Sequence, residues 1–331
     1  MHPIRRILIA VKNPDTRRQP GIDKAIRIAR RLGASVELFH AISTPVFLEL
    51  EPLTGHSLAQ IKRESLDLRR KRLDKIAQRA RKAGVATTSH VAWDFPPHEA
   101  IVRRAEHIHA DLVIAECHQG KRLKPWLMHL TDWELLRLSA QPVLLLKNAR
   151  PWREPVILAA VDPAHAHAKP ARLDDAIVES AKALNRTLKG SFELVHANFP
   201  AAFGSLMADP AMDGATLAAA YDQQKSASKA AFEKFAARAR IPKNRCHLLD
   251  TDPSFAIPHL ARALGADLVV MGAVSRSGLK RVFIGNTAER VLDALPCDVL
   301  VVKPAQFASR VEHRTRGMRV VPPQPLMPMA V

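Results

Sequence analysis

Apolar residues along the chain fall into short continuous runs, with amphipathic stretches of helical period between them. In the second half the runs are 156–161, 192–197, 245–249, 267–271 and 298–302. Helical patterns fill roughly 171–188, 215–240, 254–264 and 287–295 between them. In the first half the runs are 6–11, 35–41, 87–92, 111–115 and 142–146, separated by helical stretches such as 22–32 and 58–83. Runs this short and this rich in Val, Ile and Leu read as strands. Their alternation with helices predicts an α/β protein whose parallel sheet is covered on both faces. Burial on both faces also explains why the runs are continuously apolar and do not alternate with polar residues.

The two halves are copies. "ADLVIAECHQGKRLKPWLMHLTDWELLRLSAQPVLLLK" (110–147) aligns without a gap on "ADLVVMGAVSRSGLKRVFIGNTAERVLDALPCDVLVVK" (266–303), with 11 of 38 positions identical. An earlier pair, "RRILIAVKNP" (5–14) and "EPVILAAVDP" (154–163), is also similar. A repeat of this length is a whole domain, not a solenoid unit. The reading is two tandem doubly wound domains, each with a five-stranded parallel sheet, over 1–150 and 151–304. The junction falls in "NARPWREP" (148–155), which is polar and carries two prolines. The remainder, 305–331, is rich in Pro and Arg and lacks sustained periodicity, so it is expected to be disordered.

Composition changes this picture in one respect. The formal charge is +18, and most of it belongs to the first half, where 27 Lys and Arg face 15 Asp and Glu over 1–150. The stretch 61–82 alone has ten basic and three acidic residues. It reads either as a footprint for nucleic acid or anionic lipid, or as the solvated face of a helix. The second reading puts Ile61, Leu66, Leu73, Ile76 and Ala80 against a core. No aromatic residue sits among these charges to stack a base. Three widely spaced cysteines fit reduced thiols better than disulfides. With no apolar run long enough for a membrane helix, and an N-terminal run that reads as a strand, the chain is expected to be cytoplasmic.

In open parallel sheets, ligands bind beyond the carboxyl ends of the strands. The stretch after the fourth strand of the second copy is "MGAVSRSGLKRVFIGNTAERV" (271–291). Asn286 with Glu289 three positions on has capping-box spacing, so a helix starts near Thr287. Its free N–H groups make an anion site, and Lys280 and Arg281 add charge. There is no Walker lysine, no positioned general base and no nucleophile–base signature, so any ATP hydrolysis is expected to be slow. The His-x-His pairs at 107–109 and 165–167 do not supply a metal ligand set.

This loop, with the tandem repeat, resembles the nucleotide-binding signature of the universal stress protein family. Gly272, Ser275, Gly285 and Asn286 occupy its positions, with Ser275 where the family has its second glycine and Asn286 where it has Ser or Thr. The resemblance implies a Rossmann-like, adenine-nucleotide alpha-hydrolase-like fold and an adenine-nucleotide site in the second domain, for ATP with or without Mg2+. It implies that Asp162 faces the adenine and ribose, that Ala160 and Val161 line the base pocket, and that Ala197 offers backbone hydrogen bonds. Met271, Gly272, Ser275, Gly285, Asn286 and Thr287 would hold ribose and phosphates. His196 reads as a structural residue at a strand end. In the first copy the counterparts of Asp162, Gly272, Ser275 and Gly285 are Lys12, Glu116, Gln119 and His129, so nucleotide binding there looks lost. Pairing of the two domains within the chain is expected, and a homodimer stays open. An anionic partner for the basic first half, nucleic acid or a lipid-like metabolite, is the alternative function.

Overall fold

The computed structural model describes residues 3–47, 57–117, 130–164, 172–198, 214–272 and 286–321. The chain divides into two compact units, one formed by residues 4–139 and 309–331, the other by 140–308 with the first three residues.

The first unit contains β1 (Arg6–Ala10), α1 (Pro20–Leu32), β2 (Ser35–Ile42), the two-residue β3 (Val46–Phe47) and α2 (Leu58–Lys82). It continues with β4 (Thr87–Trp93), α3 (Pro97–His107), β5 (Leu112–Glu116) and α4 (Leu130–Leu138). Its main sheet runs β4-β2-β1-β5, and every pairing is parallel. Ile7, Leu8, Leu38 and Val113 in its middle are fully buried. The helices start and stop where local chemistry dictates. Pro20 opens α1, and Gly33 ends it in the left-handed region at φ 66°. The Ser57 hydroxyl accepts from the Gln60 amide to cap α2.

The second unit begins with β6 (Val143–Leu146), the last strand of the first sequence repeat. Then come β7 (Val156–Ala160), α5 (Leu173–Leu188), β8 (Ser191–Ala197), α6 (Gly214–Arg238) and β9 (Cys246–Leu249). It closes with α7 (Pro253–Ala263), β10 (Leu268–Gly272), α8 (Asn286–Ala294) and β11 (Asp298–Val302). The strand order is β6-β11-β10-β7-β8-β9. All pairings are parallel except β6 on β11, which is antiparallel through Leu144↔Leu300. The doubly wound fold is as the repeat pattern predicts. What the repeat pattern does not announce is that β6, a run encoded in the first copy, also pairs with β11 of the second.

The carboxylate of Asp298, wholly buried, holds that pairing together. It accepts from the Lys147 amide at 2.9 Å and from the Trp152 indole N–H at 2.9 Å. The Lys147 ammonium in turn donates to the Leu292 and Leu295 carbonyls at the end of α8. The aspartates of the two "ADLV" motifs work alike. Asp111 accepts from the Arg5 and Arg6 amides at the start of β1, and Asp267 from the Val156 amide at the start of β7.

Where composition predicts a disordered tail, residues 309–321 pack on the first unit. Arg103 and Asp94 form a buried ion pair, with Nε donating to Oδ2 at 3.0 Å. A buried pair is tolerated only when its remaining donors and acceptors are met. The tail meets two of them. The Arg316 amide donates to Asp94 Oδ1 at 2.9 Å, and the Glu312 carbonyl accepts from Arg103 at 3.2 Å. Arg316 also pairs with Glu99 at 2.8 Å. Val320–Val321 (β12) adds a parallel pairing to β3.

Two outcomes follow. Asp298→Ala orphans two buried donors and should cost about 3 kcal/mol of unfolding free energy, read as a lower urea midpoint. Truncation after residue 308 uncovers the Arg103–Asp94 pair and should destabilise the first unit by about 1–3 kcal/mol, measured in the same way.

Candidate functional site

At the carboxyl ends of the second unit's strands, register brings most of the sequence-predicted residues together. Ala160 is the partner of both Met271 and Val195, and Ala197 ends β8 two residues beyond Val195. Val161 and Met271 are buried, and Asp162 leads away from β7 with its side chain about a third exposed (36 %). The Asp162 amide donates to Asp174 Oδ1 at 3.1 Å, which ties the strand end to the first turn of α5. Thr287 lies exposed in the first turn of α8. Ser275, Lys280, Arg281, Gly285 and the side chain of Asn286 lie outside the described residues. The helix itself begins at Asn286, one residue earlier than the capping pattern places it.

Gly272 has a reason the sequence does not announce. A β-carbon there would stand 2.7 Å from Leu173 Cδ2 and 3.3 Å from Ile177 Cδ1. The glycine therefore lets β10 close on α5, whatever else approaches it.

His196 is 1 % exposed and serves as a brace. Its Nδ1 donates to the Val161 carbonyl at 3.1 Å, leaving Nε2 to accept from the Ser228 hydroxyl of α6 at 2.8 Å. Asp162 Oδ1 lies 3.8 Å from the same Nδ1. The first unit repeats the device, with His40 Nδ1 donating to the Val11 carbonyl at 2.7 Å. Burial lowers the His40 pKa, so it is neutral at physiological pH.

Two residues at this end escape sequence reasoning. Asn198, one place beyond Ala197, is 3 % exposed, and its Oδ1 has no hydrogen-bond partner among the described residues. Its counterpart in the first repeat is Ile42, also buried. Lys303 follows Val302, the register partner of Gly272, and is 6 % exposed above the Phe307 ring at 4.7 Å. Burial brings its ammonium down to about 8. An asparagine in a strand-like run and a lysine after one look like ordinary ends of elements. Only packing shows that both are buried.

The equivalent end of the first unit is built differently. A cavity of about 420 Å³ is lined by Val11, Lys12, Phe39, Ile101, Glu116 and Asp132, among others. Glu116 stands where Gly272 stands in the second unit, and its carboxylate accepts from the Gly21 and Ile22 amides at the start of α1. Burial raises its pKa, and those amides oppose the rise. Burial lowers the Lys12 pKa, while Asp132 and Glu116 hold it up. The lining thus carries two carboxylates against one ammonium. Lys12 does not make this an anion pocket.

The basic stretch 61–82 is α2, and it behaves as a helix with one buried face. Leu73, Ile76, Ala77 and Ala80 are buried, while Ile61 and Leu66 are half-buried. Several of its arginines are engaged: Arg69 and Arg72 with Asp15, Arg79 with Asp23, and Arg81 with the Thr87 carbonyl.

Two α/β units in tandem, with polar groups gathered at the carboxyl ends of the strands, define a two-domain protein of Rossmann-like type. A family model described as "Universal stress protein family" matches residues 3–147 and again 156–303. The chain belongs to the universal stress protein family. It is 31% identical over 314 residues to universal stress protein E of Escherichia coli (strain K12), covering 92% of this chain and 96% of that one. It is 25% identical over 311 residues to a universal stress protein E homolog of Haemophilus influenzae, covering 90% and 97%. Among solved structures, a putative universal stress protein from Pseudomonas aeruginosa UCBPP-PA14 superposes with a TM-score of 0.66 at 26% identity, covering 91% and 94%. One from Archaeoglobus fulgidus shares the fold with a TM-score of 0.59 at 17% identity, covering 90% and 97%.

The buried Lys303 has a pH signature. The folded chain gives up this proton near pH 8, whereas the unfolded chain keeps it to about 10.4. Over that window the unfolded state binds more protons, so stability rises with pH. Relative to Lys303→Met, the wild type should be less stable below pH 8 and should recover as pH climbs towards 10. Urea midpoints of both proteins across pH 7–10 check this.

Proposed function

We propose that the second unit binds an adenine nucleotide, ATP first, at the carboxyl ends of β7, β8 and β10. The observation that carries this reading is the Asn198 Oδ1, buried without a partner among the described residues. A buried polar atom without a partner costs about 1–3 kcal/mol and calls for an explanation. A ligand that donates a hydrogen bond at the end of β8, as the adenine amino group does, supplies one. Asp162 at the neighbouring strand end suits the nucleotide's hydroxyls and ring edge. The helix starting at Asn286 suits its phosphates. The first unit lacks this combination, having Ile42, Lys12 and Glu116 in place of Asn198, Asp162 and Gly272.

The described residues gather no group of three His, Cys, Asp or Glu side chains for Mg2+, so nothing in this reading runs through the ion. The reading is a binding and regulatory role, with stress response as the setting that the family suggests. The first unit's cavity supports a second ligand class. Its apolar wall of Val11, Phe39 and Ile101 beside opposite charges fits a small amphiphile better than a polyanion.

Thermal unfolding with and without ATP tests the proposal. ATP at a hundred times its Kd should add about 2.7 kcal/mol and raise Tm. Asn198→Ile copies the first repeat and removes an unsatisfied group. It should leave the free protein as stable or more so, and abolish the ATP shift. No saturable shift of the wild type with ATP, ADP or AMP sinks the proposal.

A further inference from the structure

The amino ends of β8 and β9, some 20 Å along the strands from the candidate nucleotide site, open on a different feature. A cleft of about 640 Å³ lies there in the second unit, and Lys182, Arg186, Arg240 and Arg245 line it with Glu179 as their acidic neighbour. The size is that of small-molecule sites. Two of the cations are engaged. Lys182 donates to the Ala239 carbonyl, and Arg245 pairs with Glu193 at 3.1 Å. Burial and the nearby Arg186 and Arg240 lower the Lys182 pKa, which registers the crowding of positive charge. Among the described residues, no carboxylate pairs with Arg186 or Arg240. Asn185, also in the lining, has a buried Oδ1 with no partner, and turning its amide by half a turn would present a donor instead.

The backbone adds an independent observation. Arg240 sits in the left-handed region at φ 54°, and so does Lys189, next to the lining residue Gly190, at φ 52°. The first unit makes the same two helix-ending turns with Gly84 at φ 83° and Gly33 at φ 66°. The closing bonds correspond. Val85 donates to Ala80 and Ile241 to Ala236, while Ala34 donates to Ala29 and Gly190 to Asn185. Glycine takes this backbone conformation without steric cost, whereas a β-carbon makes it costly. The second repeat therefore bears strain at two turns, and at both the residue is a cation beside the cleft. Lys182 and Arg245 likewise stand where the first repeat has the uncharged Ile26 and Thr88.

We propose that this cleft is a second anion site, independent of the nucleotide reading, that binds a diphosphate group through Arg186, Arg240 and Lys182. A diphosphate spreads its charge over several oxygens and engages all three cations, where a single phosphate leaves some unneutralised. The group comes either as free pyrophosphate or as part of a nucleotide.

Calorimetric titration of the full chain with sodium pyrophosphate, at low salt and again in 0.3 M KCl, tests this. The wild type should bind saturably and more weakly at high salt. Arg186→Gln with Arg240→Gly should lose at least tenfold in affinity. Arg240→Gly alone should raise Tm without ligand, because glycine relieves the turn, which also shows that the variant folds. Asn198→Ile should bind pyrophosphate like the wild type, so this site and the nucleotide reading fail separately. Titration of ADP into Asn198→Ile tells the sources apart: competition with pyrophosphate assigns a nucleotide, and its absence assigns the free ion. Absence of saturable wild-type binding up to millimolar pyrophosphate overturns the proposal. So does a double variant that binds within twofold of wild type.

Discussion

The central parallel strands β1, β5, β7 and β10, sealed between two layers of helix, carry apolar side chains between their two ends, and this constraint organises both units. Ile7, Leu8, Val113, Ile157, Leu158, Leu268 and Val270 are all fully buried. Backbone N–H and C=O groups in such a sheet are met by the neighbouring strand, so the side chains face only apolar partners. Polar chemistry is driven to the strand ends. At the amino ends, Asp111 and Asp267 take up the first free amides of β1 and β7. At the carboxyl ends, His40 and His196 brace the carbonyls of Val11 and Val161. These braces stand in matching places in both repeats, so they belong to the scaffold and not to a site.

Divergence between the repeats is concentrated where the scaffold leaves freedom. The carboxyl ends show Lys12 against Asp162, Ile42 against Asn198, and Glu116 against Gly272. The last exchange fills one start of a helix with an internal carboxylate, while in the other unit it admits close packing of Leu173 and Ile177. The first unit thereby meets the Glu116 carboxylate with its own amides, beside an amphiphilic cavity. The second leaves the Asn198 Oδ1 without a partner among the described residues. At the opposite ends, glycines at two helix-ending turns give way to Lys189 and Arg240, which store strain in the backbone. One architecture thus presents different chemistry at its ends without any change in strand order around the centre.

Some of the basic residues have structural partners, though pairing leaves the net charge of +18 unchanged. In α2 several arginines are held by Asp15, Asp23 and the Thr87 carbonyl, and the apolar face is buried beneath them. In the tail, Arg316 completes the surroundings of the buried Arg103–Asp94 pair. Charge counted along a sequence says how much is present. It does not say how much is already paired.

The local periodicity of the sequence determined the strands and most helices, because strands buried on both faces must read as continuous apolar runs. The repeat determined two domains, and the glycine-rich stretch with its Asn-Thr-Ala-Glu start determined where a helix begins. These are properties of neighbours in the chain. Tertiary structure alone decided what depends on distant partners. It seated β6 against β11 through the buried Asp298, ordered 309–321 on a buried ion pair, and left the Asn198 Oδ1 without a partner among the described residues while giving His196 two. It also gathered Lys182, Arg186, Arg240 and Arg245, spread over more than sixty positions of the chain, around one cleft. Burial and hydrogen-bond satisfaction are set by residues far away in sequence, so no window of the chain contains them.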